Sequence, residues 1–429
     1  MGATYSVAEG VFEDMDTTDK FGDGKVAPAY RVRRWVWNAT RQRDGGLMLK
    51  FVQRCEKIAK FVSCASYNTG SRGKKRAWSA TDFVSTSLPS VSTGLLPDDL
   101  TIGCFDIGPT VGTGSYATVC IASLKASHGA QKEPFALKVL HKTKVIEERQ
   151  VLHVKNERDI LSSVRHPFIV NYIGCFQDAV NLYMLLEYVS GGELFSYIYK
   201  YGALGYSVAR FYTAQAVLAI DFLHSKGIVY RDLKPENMLL DMFGHIRLVD
   251  FGFAKHVTTK TYTVCGTHDY LAPEIFLRCG HGVEADWWSM GILVYELIMG
   301  SPPFHSSDPF VTYDLALENK LRFPLSVKFE VKDFIRRLLV VNPQKRLGSV
   351  NHTEIYSHKF FGSMDWVKML SKKLKPPIVP IVNGRMDTAN YMRYPDVWRV
   401  HDSKITIEQQ NEFFRDFYMF IPFLRAVYV

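Results

Sequence analysis

Tyr230-Arg231-Asp232-Leu233-Lys234-Pro235-Glu236-Asn237, followed by Asp250-Phe251-Gly252, is the stretch whose reading decides the fold. It sets two carboxylates, a lysine and an asparagine close together. Each part follows a short apolar run, Ile228-Val229 before the first and Ile246 to Val249 before the second. That arrangement suits a β-hairpin whose loops present a base and two metal ligands to one cleft. The residue types fit phosphoryl transfer, which asks for in-line positioning and cations more than for covalent help. An Asp orients an attacking hydroxyl, a Lys neutralises a phosphate, and an Asn with a second Asp offers hard oxygens to Mg²⁺.

Composition sets the frame for that reading. The 429 residues suffice for one large or two ordinary domains, and 47% hydrophobic with 22% charged residues is ordinary for a globular protein. Seven cysteines (55, 64, 104, 120, 175, 265 and 279) form no CxxC pair, which argues against a zinc site or a disulfide framework and for a reducing compartment. No apolar run reaches the ~18 residues of a spanning helix, and no secretory leader is visible. The net charge of +9 is uneven: residues 1–24 hold six acids and one Lys, whereas residues 25–80 hold fourteen Lys and Arg against two acids. A basic block of this kind meets membrane, nucleic acid or an acidic protein face, or is simply solvated.

Organisation follows from periodicity. Residues 1–99 read as an N-terminal extension, polar and without fixed structure to about 45. It carries an amphipathic helix near 47–62 (Leu47, Met48, Phe51, Val52, Cys55, Ile58, Ala59, Val62) and a Ser/Thr/Gly/Pro linker over 66–99. From Phe105 to about Leu140 alternating segments predict strands, and Val151, Val154, Ile160 and Leu161 predict a helix. Beyond Gly191 helical spacing dominates, over 206–225, 285–299 and 328–340. A strand-rich first part and a helix-rich second part imply an α+β fold of two lobes, with the ligand in the cleft between them.

Upstream pieces converge on the same chemistry. Val111-Gly112-Thr113-Gly114-Ser115-Tyr116-Ala117-Thr118-Val119 lies between two predicted strands, where glycines let backbone N–H groups approach phosphates. Alone, such a run is more often only a hairpin. Lys138, after Ala136-Leu137, would by default be a snorkelling surface lysine, and Glu157 a solvated acid. Taken in order with Asp232…Asn237, Asp250-Phe251-Gly252 and Ala272-Pro273-Glu274, these pieces resemble the eukaryotic protein kinases. Across 105–417 the likeness is to the AGC group, most of all to the catalytic subunits of cyclic-AMP-dependent protein kinase. Asp250-Phe251-Gly252-Phe253-Ala254-Lys255, Cys265-Gly266-Thr267, Asp286-Trp287-Trp288 and the tail from Lys373 to Phe417 carry it.

The resemblance implies a bilobal kinase fold: a β-rich N-lobe over 105–188 with one main helix, a helical C-lobe over 192–361, and a C-terminal tail over 362–429. It implies MgATP as phosphate donor and a Ser/Thr protein as acceptor. Asp232 and Lys234 would be catalytic, and Asn237 and Asp250 would hold Mg²⁺. Val111, Gly112, Thr113, Gly114, Ser115, Val119, Ala136, Lys138, Glu157, Glu187, Val189, Leu239 and Tyr391 would surround ATP. Glu274 would pair with Arg346, and Asp286 would brace the catalytic loop. Glu193, Glu236 and Glu296 would read arginines before the target residue, with Val264 and Leu271 holding the residue after it. Thr263 would be phosphorylated and received by His153, Arg231 and Lys255, which answers the need of a buried Arg231 for an anion.

The chain also departs from the family pattern. Ala117 replaces a third glycine, His268-Asp269 replaces Pro-Glu, Tyr262 stands where these subunits have a Trp that engages the regulatory subunit, and His401 stands at a phosphorylated Ser of their tail. A cyclic-nucleotide-binding regulatory partner acting in trans is therefore an expectation that these positions leave open. Met1-Gly2-Ala3-Thr4-Tyr5-Ser6 fits N-myristoylation of Gly2, which with the basic block gives a cytoplasmic protein able to contact membrane. Two other readings stand beside the enzyme. A pseudokinase scaffold is opposed by the presence of Lys138, Asp232, Asn237 and Asp250. A nucleic-acid-binding protein is opposed by the lack of any reading motif in the basic block.

Overall fold

Residues 100–125, 133–395 and 404–420 are described by the computed structural model. The amphipathic stretch at 47–62, the basic block, Gly2 and His401 lie outside them.

The first lobe is built on antiparallel strands β1 (Phe105–Thr113), β2 (Ala117–Leu124), β3 (Pro134–His141), β4 (Tyr172–Gln177) and β5 (Asn181–Glu187). They lie in the order β1-β2-β3-β5-β4. The period of two explains how β3 serves core and cleft at once. Phe135, Leu137 and Val139 point into a buried cluster with Phe105, Phe176 and Leu185, while Ala136 and Lys138 face the other way. The cluster is held by flat stacking of Phe105 on Phe176 and of Phe176 on Tyr183. Helices α1 (Lys142–Glu147) and α2 (Val151–Ser163) flank this sheet.

The second lobe is helical: α3 (Leu194–Tyr201), α4 (Tyr206–Ser225), α5 (Pro273–Phe276), α6 (Glu284–Met299), α7 (Pro309–Glu318) and α8 (Phe329–Leu338). The three helical stretches expected from periodicity coincide with α4, α6 and α8 within two residues. Helix α6 is apolar around nearly its whole circumference, with Trp287 and Trp288 fully buried, because α4 and α8 both pack on it. No helix among the described residues is long and apolar enough to cross a membrane.

One local expectation is corrected. Ile228-Val229 and Ile246–Val249 are not the two arms of one hairpin. Strand β6 (Ile228–Val229) pairs with β9 (Lys255–His256), and β7 (Met238–Leu240) pairs with β8 (Ile246–Leu248). Met238–Leu240 directly follows Asn237 and reaches β8 across a five-residue turn, so the shorter closure wins. The catalytic loop is thus strung between two small ribbons. A last strand, β10 (Met419–Phe420), comes from the tail and pairs antiparallel with β4, making the sheet six-stranded.

The lower lobe contains a buried ion pair. Arg346 donates two hydrogen bonds to Glu274, 2.7 and 2.9 Å long, with both side chains essentially without solvent contact, and its guanidinium lies over Trp288. Removing one partner of such a pair strands the other charge in the core. Arg346→Ala is expected to lower the unfolding free energy by about 3–5 kcal/mol. A chemical-denaturation midpoint equal to that of the unaltered protein would contradict this.

Candidate active site

Ile228-Val229 and Met238–Leu240 hold the catalytic loop at both ends, and Asp286 holds it in the middle. The Asp286 carboxylate is wholly buried, accepts the backbone N–H groups of Tyr230 and Arg231 at 2.9 and 2.8 Å, and meets the His224 ring at 2.7 Å. Those bonds support Arg231 at φ 70°, a left-handed backbone that a side-chain-bearing residue rarely adopts. The turn delivers Asp232 into the cleft. Its carboxylate is approached by Lys234 Nζ at 3.0 Å, Asn237 Nδ2 at 2.7 Å and the Thr267 hydroxyl at 3.2 Å, and Lys234 also donates to Thr267 at 2.7 Å. Burial opposes the ammonium of Lys234, but Asp232, with Glu236 and Asp250, outweighs it and holds the lysine above its ordinary range.

The opposite wall is set by β3 and α2. Lys138 Nζ sits 2.7 and 2.8 Å from the two Glu157 oxygens and 3.8 Å from Asp250. Burial works against its charge, yet Glu157 and Asp250 prevail and raise it well above a free lysine. Asp250, also at a left-handed φ of 55°, is lowered: burial works against its carboxylate, but Lys138, the Gly252 N–H and Lys234 together outweigh it. Lys138 lies mid-strand rather than at a strand end, its backbone paired with Val119 and Met184 and its ammonium held by Glu157, so it does not snorkel. Val111, Gly112 and Thr113 end β1, Gly114 and Ser115 form the turn, and Val119 and Ala136 line adjacent strands. A Cβ on Gly112 or Gly114 would meet nothing closer than 3.8 or 3.7 Å, so these backbones are open to a ligand. Ala117 starts β2, and its carbonyl accepts the Gly114 N–H at 2.7 Å, closing the turn without a third glycine.

The back of the cleft is the segment joining the lobes. The Glu187 side chain is turned to Arg247 and Asn171, leaving its backbone as the part that can face a nucleotide. Leu239 lies in β7 beside Glu193. The tail crosses here: Tyr391 donates to the Val189 carbonyl, Asn390 to that of Ser190 at 3.0 Å, and Tyr188 to that of Asp387 at 2.6 Å.

Along the lower lip, Glu193 precedes α3, Glu236 lies in the catalytic loop and Glu296 is in α6. Burial, then the neighbouring Glu236, raises Glu193. Burial, reinforced by Glu236 and Asp269 and only partly offset by the Tyr270 hydroxyl, pushes Glu296 up to about 7. Glu236 Oε2 and Asp269 Oδ1 are buried without a hydrogen-bond partner. Carboxylates crowded this way lower their free energy by taking a cationic side chain. Leu271 is buried and Val264 half-buried near the same loop. Gly266, at φ 109°, lies so close to the Arg231 carbonyl that a Cβ would come within 2.7 Å of it. In the activation segment the Arg231 Nε donates to the Phe253 carbonyl at 2.7 Å, while its Nη1 is buried with no partner. Lys255 reaches the Thr261 hydroxyl at 3.4 Å. His153, on α2, bonds Gln150 at 2.7 Å and meets the Phe253 ring edge-on. Thr263 is half-buried, whereas Thr261 is buried and bridged to the backbone of His281.

Two residues are added by the structure. Thr267, in the quoted Cys265-Gly266-Thr267, touches both Asp232 and Lys234. Asp269, read in sequence only as a departure, stands with Glu236 and Glu296; its charge next to Tyr270, which bonds Glu296, was the available signal. The residues fit a magnesium–nucleotide group. Among the described residues no three His, Cys, Asp or Glu side chains converge as a ready-made metal site. Asp250 and Asn237 alone offer hard oxygens, which suits Mg²⁺ completed by phosphate oxygens and water.

Comparison with known proteins agrees with this geometry. The sequence model of the protein kinase domain matches residues 105–361. The chain is 45% identical over 317 residues to the cAMP-dependent protein kinase catalytic subunit PRKX of Homo sapiens, covering 73% of this chain and 87% of that protein. It is 41% identical over 316 residues to the cAMP-dependent protein kinase catalytic subunit 3 of Drosophila melanogaster (73% of this chain, 53% of that protein). It is 40% identical over 311 residues to the cAMP-dependent protein kinase catalytic subunit of Dictyostelium discoideum (72% and 47%). The chain therefore belongs to the protein kinase family, as a Ser/Thr kinase of the AGC type similar to the catalytic subunits of cAMP-dependent protein kinase.

Proposed function

We propose that this kinase transfers the γ-phosphate of MgATP to Ser or Thr in proteins with arginines upstream of the target. The observation that carries the chemistry is the Asp232 carboxylate held by Lys234, Asn237 and Thr267. Asp232 orients the acceptor hydroxyl and takes its proton. Lys234, beside it, neutralises charge on the moving phosphoryl group, and Thr267 keeps the two side chains in register. Lys138, aimed by Glu157, binds the donor's phosphates, and Val111, Val119, Ala136, Leu239 and Tyr391 enclose its base. When bound, Mg²⁺ supplies charge neutralisation to the phosphates, held by Asp250 and Asn237.

Regulation is inferred from the same loop. The unpartnered Arg231 Nη1 supports a phosphate on Thr263, which would join the catalytic loop to His153 on α2 and thereby to Glu157. The similarity to catalytic subunits of cAMP-dependent protein kinase supports a cyclic-nucleotide-controlled regulatory subunit as partner. Cytoplasmic residence with membrane contact through a myristoylated Gly2 rests on the sequence pattern.

Three measurements test this reading. With an Arg-Arg-x-Ser peptide and MgATP, Asp232→Ala is expected to lose about 10²–10⁴ in kcat and Thr263→Ala at least about tenfold. Equal turnover by the Asp232 variant would refute the catalytic assignment, and unchanged turnover by the Thr263 variant the phosphate switch. Because Glu296 is raised to about 7, its carboxylate forms as pH climbs from 6 to 8. KM for the arginine peptide should then fall on the order of several-fold over that range, with Glu296→Gln flattening the profile. A profile identical in the two proteins would remove Glu296 from substrate reading. Immobilised regulatory subunit is expected to retain the chain without cyclic AMP and release it with cyclic AMP; no retention in either condition would exclude that partner.

A further inference from the structure

The β7–β8 turn carries a feature that catalysis does not use. Asp241-Met242-Phe243-Gly244 is tightly built. Asp241 Oδ1 accepts the N–H groups of Phe243 and His245 at 3.1 and 2.9 Å, and Gly244, at φ 91°, lies so close to the Ile378 carbonyl that a Cβ would sit 1.9 Å from it. The two central positions of such a turn ordinarily take polar or turn-forming residues. Here they are Met242 and Phe243, 47% and 65% exposed. The extended tail segment beside them alternates. Pro380 packs inward against Gly191, while Val379 and Ile381 point outward, 57% and 81% exposed.

Between turn and tail lies an open groove of about 450 Å³, walled by Met242, Phe243, Leu374 and Val379 and rimmed by Lys373 and Lys375. Its shape is fixed independently of any occupant. Lys372, at φ 55°, is anchored on Asp241 at 3.0 Å and over the Phe168 ring, so these two charges cancel within the protein. His245 on the floor is kept neutral at ordinary pH by burial. What remains is an apolar trough with two exposed ammonium groups and no further acid among the residues lining it.

We propose that this groove docks an extended acidic segment of a partner protein, one that sets an aromatic or aliphatic side chain between carboxylates. The apolar side chain would sit against Phe243 and Val379, and the flanking carboxylates would pair with Lys373 and Lys375. A concave trough of this volume suits one or two side chains. A flat bilayer would leave its floor empty.

The probe is the fluorescein-labelled peptide Asp-Glu-Asp-Phe-Glu-Asp-Leu-Glu, with one control in which Phe and Leu become Ser and another in which the acids become Asn and Gln. Anisotropy should show saturable binding to the full chain that weakens at least about tenfold with Lys373→Glu plus Lys375→Glu and about fivefold with Phe243→Ser, and that falls with salt. Turnover of a short arginine peptide should stay within about twofold in each variant, since these exposed side chains bond none of the site residues described above. Lys375→Glu alone, at an exposed position, keeps the test open should the turn substitution disturb folding. Absence of saturable binding, equal binding of the controls, or affinity untouched by the lysine reversals would overturn the proposal. So would cosedimentation with phosphatidylserine vesicles that Phe243→Ser abolishes, which would assign the surface to lipid.

Discussion

The active site depends on a single carboxylate that touches no substrate. Asp286 sits at the start of α6, a helix buried along most of its length, and accepts two backbone N–H groups of the catalytic loop. A carboxylate without solvent is tolerated only where hydrogen bonds and a partner ring satisfy it, and His224 supplies the latter. In return it fixes a turn in which Arg231 adopts a left-handed backbone. That conformation aims Asp232 into the cleft and Arg231 toward the activation segment from consecutive residues. The geometry of phosphate transfer and of its control thus hangs on the packing of Trp287 and Trp288 beside that acid.

Charge then organises the space between the lobes. On the upper wall, Glu157, Lys138 and Asp250 alternate in sign, so the lysine stays ionised despite burial. On the lower wall, Lys234 lies between Asp232 and Thr267. Farther along the lip the alternation fades: Glu193, Glu236, Glu296 and Asp269 accumulate, offset only in part by Lys234 and His305. Two of their oxygens lack any partner, and Glu296 is driven toward neutrality. An unbalanced cluster of acids costs stability, and the cost is recovered only when a cation enters. The same imbalance, with reversed sign, appears at Arg231, whose Nη1 is buried without a partner.

Much of this was legible in sequence, for physical reasons that also mark its limits. Helices α4, α6 and α8 run long enough for a 3.6-residue period to declare itself. The order of Lys138, Glu157, Asp232, Asn237 and Asp250 was legible because each carries chemistry that few other residue types supply. The small ribbons were not, since strands of two or three residues have no period, and β6 found β9 rather than the nearer apolar run. Glu187 was read as a neighbour of the nucleotide; that its side chain bonds Arg247 and Asn171 could not be read, because those partners are distant in sequence. Thr267 and Asp269 escaped because a hydroxyl or a carboxylate in a loop gains meaning only from what folds against it.

The tail shows how far such long-range pairing extends. Phe414 and Phe417 are buried on the first lobe, where Lys142 and Arg158 lie over their rings at 5.8 and 5.3 Å. Arg158 also donates to the Asp416 carbonyl at 2.9 Å, and Gln177 to that of Phe414 at 2.8 Å. Burial lowers the Lys142 ammonium to about 8, and its bonds to the Asp178 carbonyl and Gln410 answer part of that cost. Because Arg158 is the residue after Glu157 on α2, fixing it to the tail restrains the rotation and translation of the helix that aims Lys138. Strand β10 then covers the edge of β4, which would otherwise present unpaired backbone to other chains. From Tyr391 at the lobe junction to Phe420 at the sheet edge, the described parts of the tail contact the upper lobe at both ends of the cleft. Through Phe414 and Phe417 this part of the tail joins that lobe's core, while the stretch before it, with Lys372 on Asp241 and Ile378 against Gly244, is anchored on the lower lobe.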